Sequence, residues 1–347
     1  MGEAIERYVH HDALRGLVMT DAKIGVFTYP HDPSLIQNRC FLYHIIGGAT
    51  GEWRVPLGGM RSLVNGLIDR AKAQNVQLAP NAVVSKIHAD DNERSVTFSI
   101  DDHEQSIGAS HILVNAGPRT FAKLTGTNWN PVATDEGTAV KVNILLHRIP
   151  KLKAEGIDPH DAFCGSFHID EGYEQMKTSY EQAANGSLPD PAPGEVYCHT
   201  LTDPSILSPE LQKSGYQTLT LFGLDMAHRL FLENHDERIA RVQNRYIAGL
   251  DRLCAEPFMD CVAKDSSGNP CIEIKSPVDL ERELDLDLGN IFHNSLSWFY
   301  AEDEQDVGTW GGETKLPGVL LAGSSAHRGG AVSGIPGRNA AMCVLKR

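Results

Sequence analysis

The stretch "LAGSSAHRGGAVSGIPGRNAA", residues 321–341, joins an apolar run to a glycine-rich loop and a helix-forming segment. The overlapping "GVLLAG" predicts a buried strand that ends at Gly323, and "NAAMCVL" predicts a helix from Asn339. Four glycines of the loop permit positive φ and close approach of the backbone to a ligand: Gly329, Gly330, Gly334 and Gly337. Because N–H groups at a helix start attract anions and electronegative ring edges, the pattern indicates a cofactor cradle. A loop that only packs a helix against a strand would have the same composition.

Composition limits the possible partners. The net charge of −14 disfavours binding to nucleic acid or to an anionic membrane surface. No apolar run reaches 18 residues, so no transmembrane helix is predicted. The seven cysteines are scattered without a C-x-x-C pair, which indicates reduced thiols and no structural metal site. We therefore predict a cytoplasmic protein, or one of the mitochondrial matrix if the source is eukaryotic.

Hydrophobic periodicity predicts a mixture of helices and strands. Leu63, Leu67 and Ala71 recur at helical spacing, and residues 235–254 give the clearest helix, with Asn234 and Glu237 resembling a capping box. Strands are predicted at residues 75–80, 81–90, 94–100, 111–118, 138–147 and 216–224. The order is not a regular βαβ array, so two domains of α+β or α/β type are favoured.

Several common catalytic motifs are absent from the sequence. There is no G-x-x-x-x-G-K-[ST] and no G-x-S-x-G. "HIIGGATGEW", residues 44–53, has the glycines of a dinucleotide loop, but Pro56 follows where a helix should continue. A turn is therefore the better interpretation of that segment.

The C-terminal stretch resembles a known motif. "LPGVLLAGSSAHRGGAVSGIPGRNAA", residues 316–341, is similar to the flavin-contacting motif of FAD-dependent oxidoreductases in the phytoene desaturase/amine oxidase superfamily. Within that branch the resemblance is closest to the pyridine nucleotide-disulfide oxidoreductase domain-containing proteins. It extends over essentially the whole chain, since further matching stretches occur in the family's order: "GEWRVPLGGMRSLVNGL", "NAVVSKI", "ILVNAGP" and "GNIFHNSLSWFYAED".

The resemblance implies an α/β fold with an α+β insertion. A discontinuous FAD/NAD(P)-binding domain of the glutathione-reductase-like type would comprise residues 51–135 and 288–347. A mixed-sheet substrate domain would comprise residues 1–50 and 136–287. The pyrophosphate-binding V-x-G-x-G-x-x-G unit of the family has no counterpart in this sequence. We therefore expect an incomplete FAD domain with an exposed apolar edge.

The resemblance also assigns residues to FAD. Val84 matches the residue whose backbone meets the adenine, and Gly323 the glycine that ends the last strand of the domain. The remaining matched positions lie around the ring end of the flavin: Gly58, Gly59, Ser324, Gly329, Gly330, Ala331 and Val332. An N–H of this loop would stabilise negative charge on the reduced flavin.

The sequence departs from the family pattern at three positions of the C-terminal motif. Arg328 replaces the usual proline, Ala331 a frequent glycine, and Ser324 the acidic residue that contacts the ribityl chain in many relatives. His327, Trp298 and Tyr300 are candidates for lining the flavin face, although packing is the favoured role of the two aromatic residues.

The predicted activity is hydride transfer from a C–H or C–N bond of a small substrate, for which an apolar molecule is one candidate, to flavin N5, with no metal. No catalytic side chain is assigned, and both the substrate and the electron acceptor stay open. A preceding segment or a complementary chain would supply the pyrophosphate site. The alternative is a truncated, non-catalytic binding protein that has lost FAD.

Overall fold

The structure, a computed structural model, describes residues 1–45, 54–131, 135–298, 300–327 and 332–345. The chain is mixed α/β and divides into two compact units, Met1–Asn75 with Glu136–Leu280 and Val76–Asp135 with Glu281–Arg347. Residues 54–75, part of the segment that the resemblance assigns to the FAD domain, lie within the first unit. What each unit binds stays a prediction.

The first unit contains a five-stranded antiparallel sheet and most of the described helices. The strands lie in the order β6-β7-β8-β5-β9. Their bounds are β5 Val140–Leu146, β6 Ser166–Ile169, β7 Gly194–Tyr197, β8 Gln217–Gly223 and β9 Ile272–Lys275. The helices are α1 Gly2–Tyr8, α2 Asp12–Lys23, α3 Ile36–Ile45, α4 Met60–Ala73, α6 Pro159–Phe163, α7 Tyr173–Ala184, α8 Pro209–Lys213, α9 His235–Leu253 and α10 Pro277–Leu284, whose last four residues belong to the second unit.

Strict alternation along β5 gives the sheet one buried face. Val142 and Ile144 point into the core, where they join Val242, Tyr246 and Leu250 of α9. Each such aliphatic side chain contributes about 1.5–3 kcal/mol on full burial. The predicted long helix is confirmed as α9.

The predicted capping box before α9 is wrong. Asn234 is the N-cap residue, but it has a left-handed backbone (φ 52°), and its side chain accepts no capping hydrogen bond. N-cap side chains normally reach the N–H groups of the first turn from an extended backbone, which Asn234 does not adopt.

The second unit contains two small sheets. The antiparallel sheet has β1 Val83–Ala89, β2 Arg94–Ile100 and β3 His103–Gly108 in that order. The other sheet pairs β4 Ile112–Val114 in parallel with β10 Val319–Leu321. The helices are α5 Pro118–Thr125 and α11 Ile335–Leu345.

Two further predicted elements differ from the structure. Residues 75–80 form no strand, because Asn75 and Asn81 at its ends have positive φ (60° and 63°) and turn the chain, and Pro80 lacks an N–H. The C-terminal helix begins at Ile335 rather than Asn339, since Pro336 is tolerated in the first helical turn.

The amphipathic helix predicted from the spacing of Leu63, Leu67 and Ala71 is present as α4, but none of its residues is buried. Leu67 on its apolar side is 64% exposed. Among the described helices, none combines the length and the apolar composition needed to cross a membrane.

Candidate functional site

The carboxyl ends of β4 and β10 lie side by side in the second unit. Leu321 pairs with Val114, and the Ala322 N–H donates to the Val114 carbonyl at 2.8 Å. Ile112, Val114 and Val319 are buried in one small core, so this pair is the rigid centre of the unit. Ligands of open α/β sheets bind beyond the carboxyl ends of parallel strands. The loops that follow β4 and β10 are therefore the candidate cofactor region.

The contact of Gly323 with Asn115 favours glycine at position 323. A Cβ at position 323 would stand 1.8 Å from Asn115 Oδ1 and 3.1 Å from Asn115 Cα. The backbone of the strand end at Gly323 thus packs directly against the Asn115 side chain, which would have to move to admit a side chain at position 323. This gives a physical reason for the glycine that the sequence motif places here.

Hydrogen bonds hold the loop that follows Gly323. The buried Ser325 hydroxyl donates to the Ala116 carbonyl at 2.6 Å, and Asn294 Nδ2 donates to the Ser325 carbonyl at 3.1 Å. Ser324, the predicted ribityl contact, lies between these anchored residues and is half-buried. The hydrogen bonds of Ser325 and the contact of Gly323 with Asn115 thus fix the backbone on both sides of Ser324.

The centre of the predicted flavin loop lies outside the described residues. Arg328, Gly329, Gly330 and Ala331 all fall there. Val332 is described: it has φ 52° and is 71% exposed. The chain then turns through Gly334 (φ 70°) into α11. A helix N-terminus therefore follows the loop, as the sequence motif requires.

The other predicted residues are distributed over both units. Val84 lies on β1, partly exposed, beside an irregularity in the pairing of β1 with β2. It is not part of the β4–β10 pair. Trp298 and Tyr300 stack on each other with ring centroids 5.7 Å apart.

Gly58 and Gly59 belong to the first unit and form the turn before α4. Both have positive φ (83° and 69°), and the Gly58 N–H donates to Asp203 Oδ2 at 2.7 Å. Hydrogen bonds from Ser205 and then from Gly58 lower the pKa of Asp203, so its carboxylate is charged at neutral pH. A carboxylate of the same unit thus fixes this turn.

A row of polar side chains on the second face of the five-stranded sheet was not predicted from the sequence. Tyr197, Thr220, Asn143 and Glu273 are paired across β7, β8, β5 and β9. Asn143 Nδ2 donates to Glu273 Oε2 at 3.0 Å. The alternation in "VKVNILL" and "QTLTLFG" indicates that each of these two strands has one polar face, but it does not indicate which strands lie side by side.

Two cavities adjoin this row in the first unit. One, of about 520 Å³, is lined by Asn143, Thr218, Thr220 and Glu273 with apolar neighbours. The second, of about 540 Å³, is lined mainly by the segment 54–60 and by the residues near Tyr197. His199 and Ile206 line both cavities. Each volume lies in the usual range for small-molecule sites.

His199 is the polar residue that lines both cavities, and Tyr197 lines the second cavity beside it. Their rings stack in parallel with centroids 5.7 Å apart. Burial, reinforced by the nearby Lys141 ammonium, lowers the pKa of His199, so its imidazole is neutral at pH 7. Burial also raises the pKa of the Tyr197 phenol well above its usual value. Both rings are therefore uncharged hydrogen-bonding groups.

These features define a mixed α/β protein with a parallel strand pair that feeds a glycine-rich loop and a helix. No family model matches the sequence. The chain is 43% identical over 351 aligned positions to an uncharacterized protein of Mycobacterium tuberculosis, covering 99% of this chain and 65% of that protein. It is 27% identical over 373 positions to pyridine nucleotide-disulfide oxidoreductase domain-containing protein 2 of Mus musculus, covering 100% of this chain and 60% of that protein.

A solved structure is similar in fold. The crystal structure of an oxidoreductase from Methanosarcina mazei matches with a TM-score of 0.52 and 14% identity, covering 97% of this chain and 64% of that one. The likeness concerns the fold alone. The chain thus spans less than two thirds of the length of each of these three proteins.

Proposed function

We propose that this chain is part of an FAD-dependent oxidoreductase of the phytoene desaturase/amine oxidase superfamily. The observation that carries the proposal is the close contact between Gly323 and Asn115 at the carboxyl ends of the parallel strands β4 and β10. The similarity to a mouse protein named as a pyridine nucleotide-disulfide oxidoreductase domain-containing protein gives independent support.

The described residues fit a flavin at its ring and ribityl end. A Cβ at position 323 would require the Asn115 side chain to move, and the chain passes through Val332 and Gly334 at positive φ into the start of α11. Backbone that comes this close and then presents a helix N-terminus suits an electron-rich ring edge. When bound, FAD would accept a hydride from a C–H or C–N bond of the substrate.

Within this proposal the residues of the chain bind FAD and orient it. The Ser324 hydroxyl is assigned to the ribityl chain, and the backbone of Val84 to the adenine. The N–H groups between Gly329 and Val332 are assigned to the pyrimidine edge of the ring, where they would stabilise developing negative charge. The sequence has no G-x-G-x-x-G, so the FAD pyrophosphate is assigned to a complementary segment or chain.

The experiment is a visible spectrum of the purified chain after addition of FAD and desalting. We expect flavin bands to remain with the protein. Gly323→Val should lose them, because its side chain displaces Asn115. Gly108→Val is the matched control in the same unit, since a Cβ at Gly108 meets no atom closer than the Arg94 carbonyl oxygen at 3.8 Å.

Two results would count against the proposal. A folded but colourless wild-type chain would favour the alternative, a binding protein that has lost FAD. Equal flavin content in Gly323→Val and Gly108→Val would remove the strand-end loop from the cofactor site.

A further inference from the structure

The two cavities of the first unit share a wall, and their remaining walls differ in character. The larger part of the second cavity is apolar, with Val55, Pro56, Leu57 and Met60 on one side and Ile206 on the other. The first cavity opens over the polar row of the sheet, where Asn143 and Thr220 lie opposite each other. A ligand spanning both would therefore be apolar at one end and polar at the other.

The charges in the lining decide which polar group fits. Glu273 already accepts a hydrogen bond from Asn143, and Lys275 Nζ lies 3.6 Å from Glu273 Oε1. Asp203 in the second cavity is held by Gly58 and by Ser205 N–H at 3.0 Å. A cationic ligand group would have to replace the partners that hold these carboxylates, and an anionic group in the first cavity would lie beside Glu273, so both are disfavoured there.

Uncharged hydrogen-bonding groups dominate the junction itself. His199 has a neutral imidazole, and Thr218 and Thr220 carry hydroxyls on the same face of the sheet. These groups can donate to a carbonyl oxygen or exchange hydrogen bonds with a hydroxyl. The apolar wall beyond them offers burial worth about 0.8 kcal/mol per CH₂ of ligand.

We propose that the two cavities are one binding site for an uncharged amphiphile, with an apolar chain or ring system against residues 55–60 and Ile206 and a hydroxyl or carbonyl group at His199, Asn143 and Thr220. As the substrate site of an oxidoreductase this rests on the proposed function. Binding of the amphiphile needs no flavin. Experiments can therefore reject the binding site and the proposed oxidoreductase activity independently.

The first test is calorimetric titration of the chain, without FAD, with 1-decanol, decanoate and decylammonium. These three probes share a ten-carbon chain and differ only in the polar group. We expect decanol to bind at least about 10-fold more tightly than either ion, a difference of about 1.4 kcal/mol. Equal affinities, or no binding of decanol, would overturn the proposal.

A variant in the shared wall tests the location. Ile206→Lys places a cation at the junction and should weaken decanol binding at least about 10-fold. Ile157→Lys is the matched control in the same unit, because Ile157 lines neither cavity and is exposed to nearly the same extent, 51% against 49% for Ile206. The location is wrong if both variants bind decanol alike.

A second variant tests the polar group. Asn143→Asp adds a carboxylate beside Glu273 with little change in shape, so the preference should shift from decanol toward decylammonium. Asn185→Asp adds the same charge at the exposed end of α7 and should leave the order unchanged. If the order of affinities for the three probes were unchanged in Asn143→Asp, the polar face of the sheet would not be part of the binding site. Flavin retention without decanol binding would likewise reject the site, whereas decanol binding without flavin retention would reject only the activity.

Discussion

Gly323 and Asn115 meet at the ends of two parallel strands, with 1.8 Å between Asn115 Oδ1 and the place where a Cβ of residue 323 would stand. The contact joins "LLAG" near the C-terminus to "LVNAG" more than 200 positions earlier. It fixes the start of the glycine-rich loop relative to the loop that follows β4.

The variant Gly323→Ala tests how much this contact matters for the stability of the fold, independently of any cofactor. The added methyl group must push Asn115 aside, and we expect the free energy of unfolding to fall by about 1–3 kcal/mol, the usual cost of overpacking. Urea unfolding followed by circular dichroism gives the value. Adding Asn115→Ala should restore part of the loss, because it removes both Oδ1 and Cγ, which lie 1.8 and 2.7 Å from the place that the new methyl group would occupy. A second substitution that deepens the loss would contradict this explanation.

Lys23 and Asp225 form a fully buried ion pair in the first unit. Lys23 Nζ lies 2.7 Å from Asp225 Oδ2 and also donates to the Met176 carbonyl at 3.0 Å. Asp225→Asn keeps the shape, and asparagine tolerates the φ of 57° at this position. We expect a loss of about 3–5 kcal/mol, because an unpaired ammonium is left buried.

Lys23→Met completes a double-mutant cycle for this pair. The double variant should cost less than the two single losses added together, since neither charge is then left alone. Urea unfolding of all four proteins measures the coupling. Simple additivity would show that the two charges do not stabilise each other.

The lowered pKa of Glu256 predicts that the free energy of unfolding depends on pH. The hydrogen bond from the Arg148 guanidinium lowers the pKa of Glu256 to about 2, and the Lys151 N–H donates to the same carboxylate at 3.2 Å. The unfolded chain has a higher value, about 4.3. The stabilisation by Glu256 is therefore complete above about pH 5 and is lost as the pH falls toward 2.

The measurement compares wild type with Glu256→Gln by urea unfolding between pH 3 and pH 7. The difference in unfolding free energy should be constant near neutrality and shrink on acidification. Because Glu256 is partly exposed, we expect the full difference to be no more than about 1 kcal/mol. In an Arg148→Gln background most of the pH dependence should vanish. A difference that grows as the pH falls would have the wrong sign.

The sequence predicted the elements whose pattern is long or strongly apolar. β5, β8 and α9 have seven residues or more with clear periodicity, and they were placed within a few residues. β6, β7 and β9 have four residues each, too few for a period of two to be recognised. β7 begins at Gly194, inside residues 186–195, "GSLPDPAPGE", whose prolines and glycines are typical of a loop. Pairing with β8 nevertheless makes a strand there.

The candidate sites also differ in whether the sequence could locate them. The strand end at Gly323 could be located because a motif surrounds it. The polar row could not, because Tyr197, Thr220, Asn143 and Glu273 are adjacent only through the strand order β7-β8-β5-β9, which no local pattern encodes. Whether Val84, Gly58 and the loop residues bind FAD stays a prediction.

Gly66 and Gly249 offer the same substitution in two helices with opposite expected results. Gly66 lies in α4, where an added Cβ would meet nothing within 4 Å, and none of the helix's residues is buried. Gly66→Ala should raise the free energy of unfolding by about 0.5–1 kcal/mol through helix propensity alone.

Gly249 lies in α9, where the Cβ would stand 3.1 Å from Asp170 Oδ2, and that carboxylate is held in place by Arg252. We expect Gly249→Ala to lower the free energy of unfolding despite the same gain in propensity, because an anchored side chain must move. Urea unfolding of both variants beside wild type measures the contrast. Equal stabilisation by the two alanines would mean that α9 packs less tightly around Gly249 than the distances indicate.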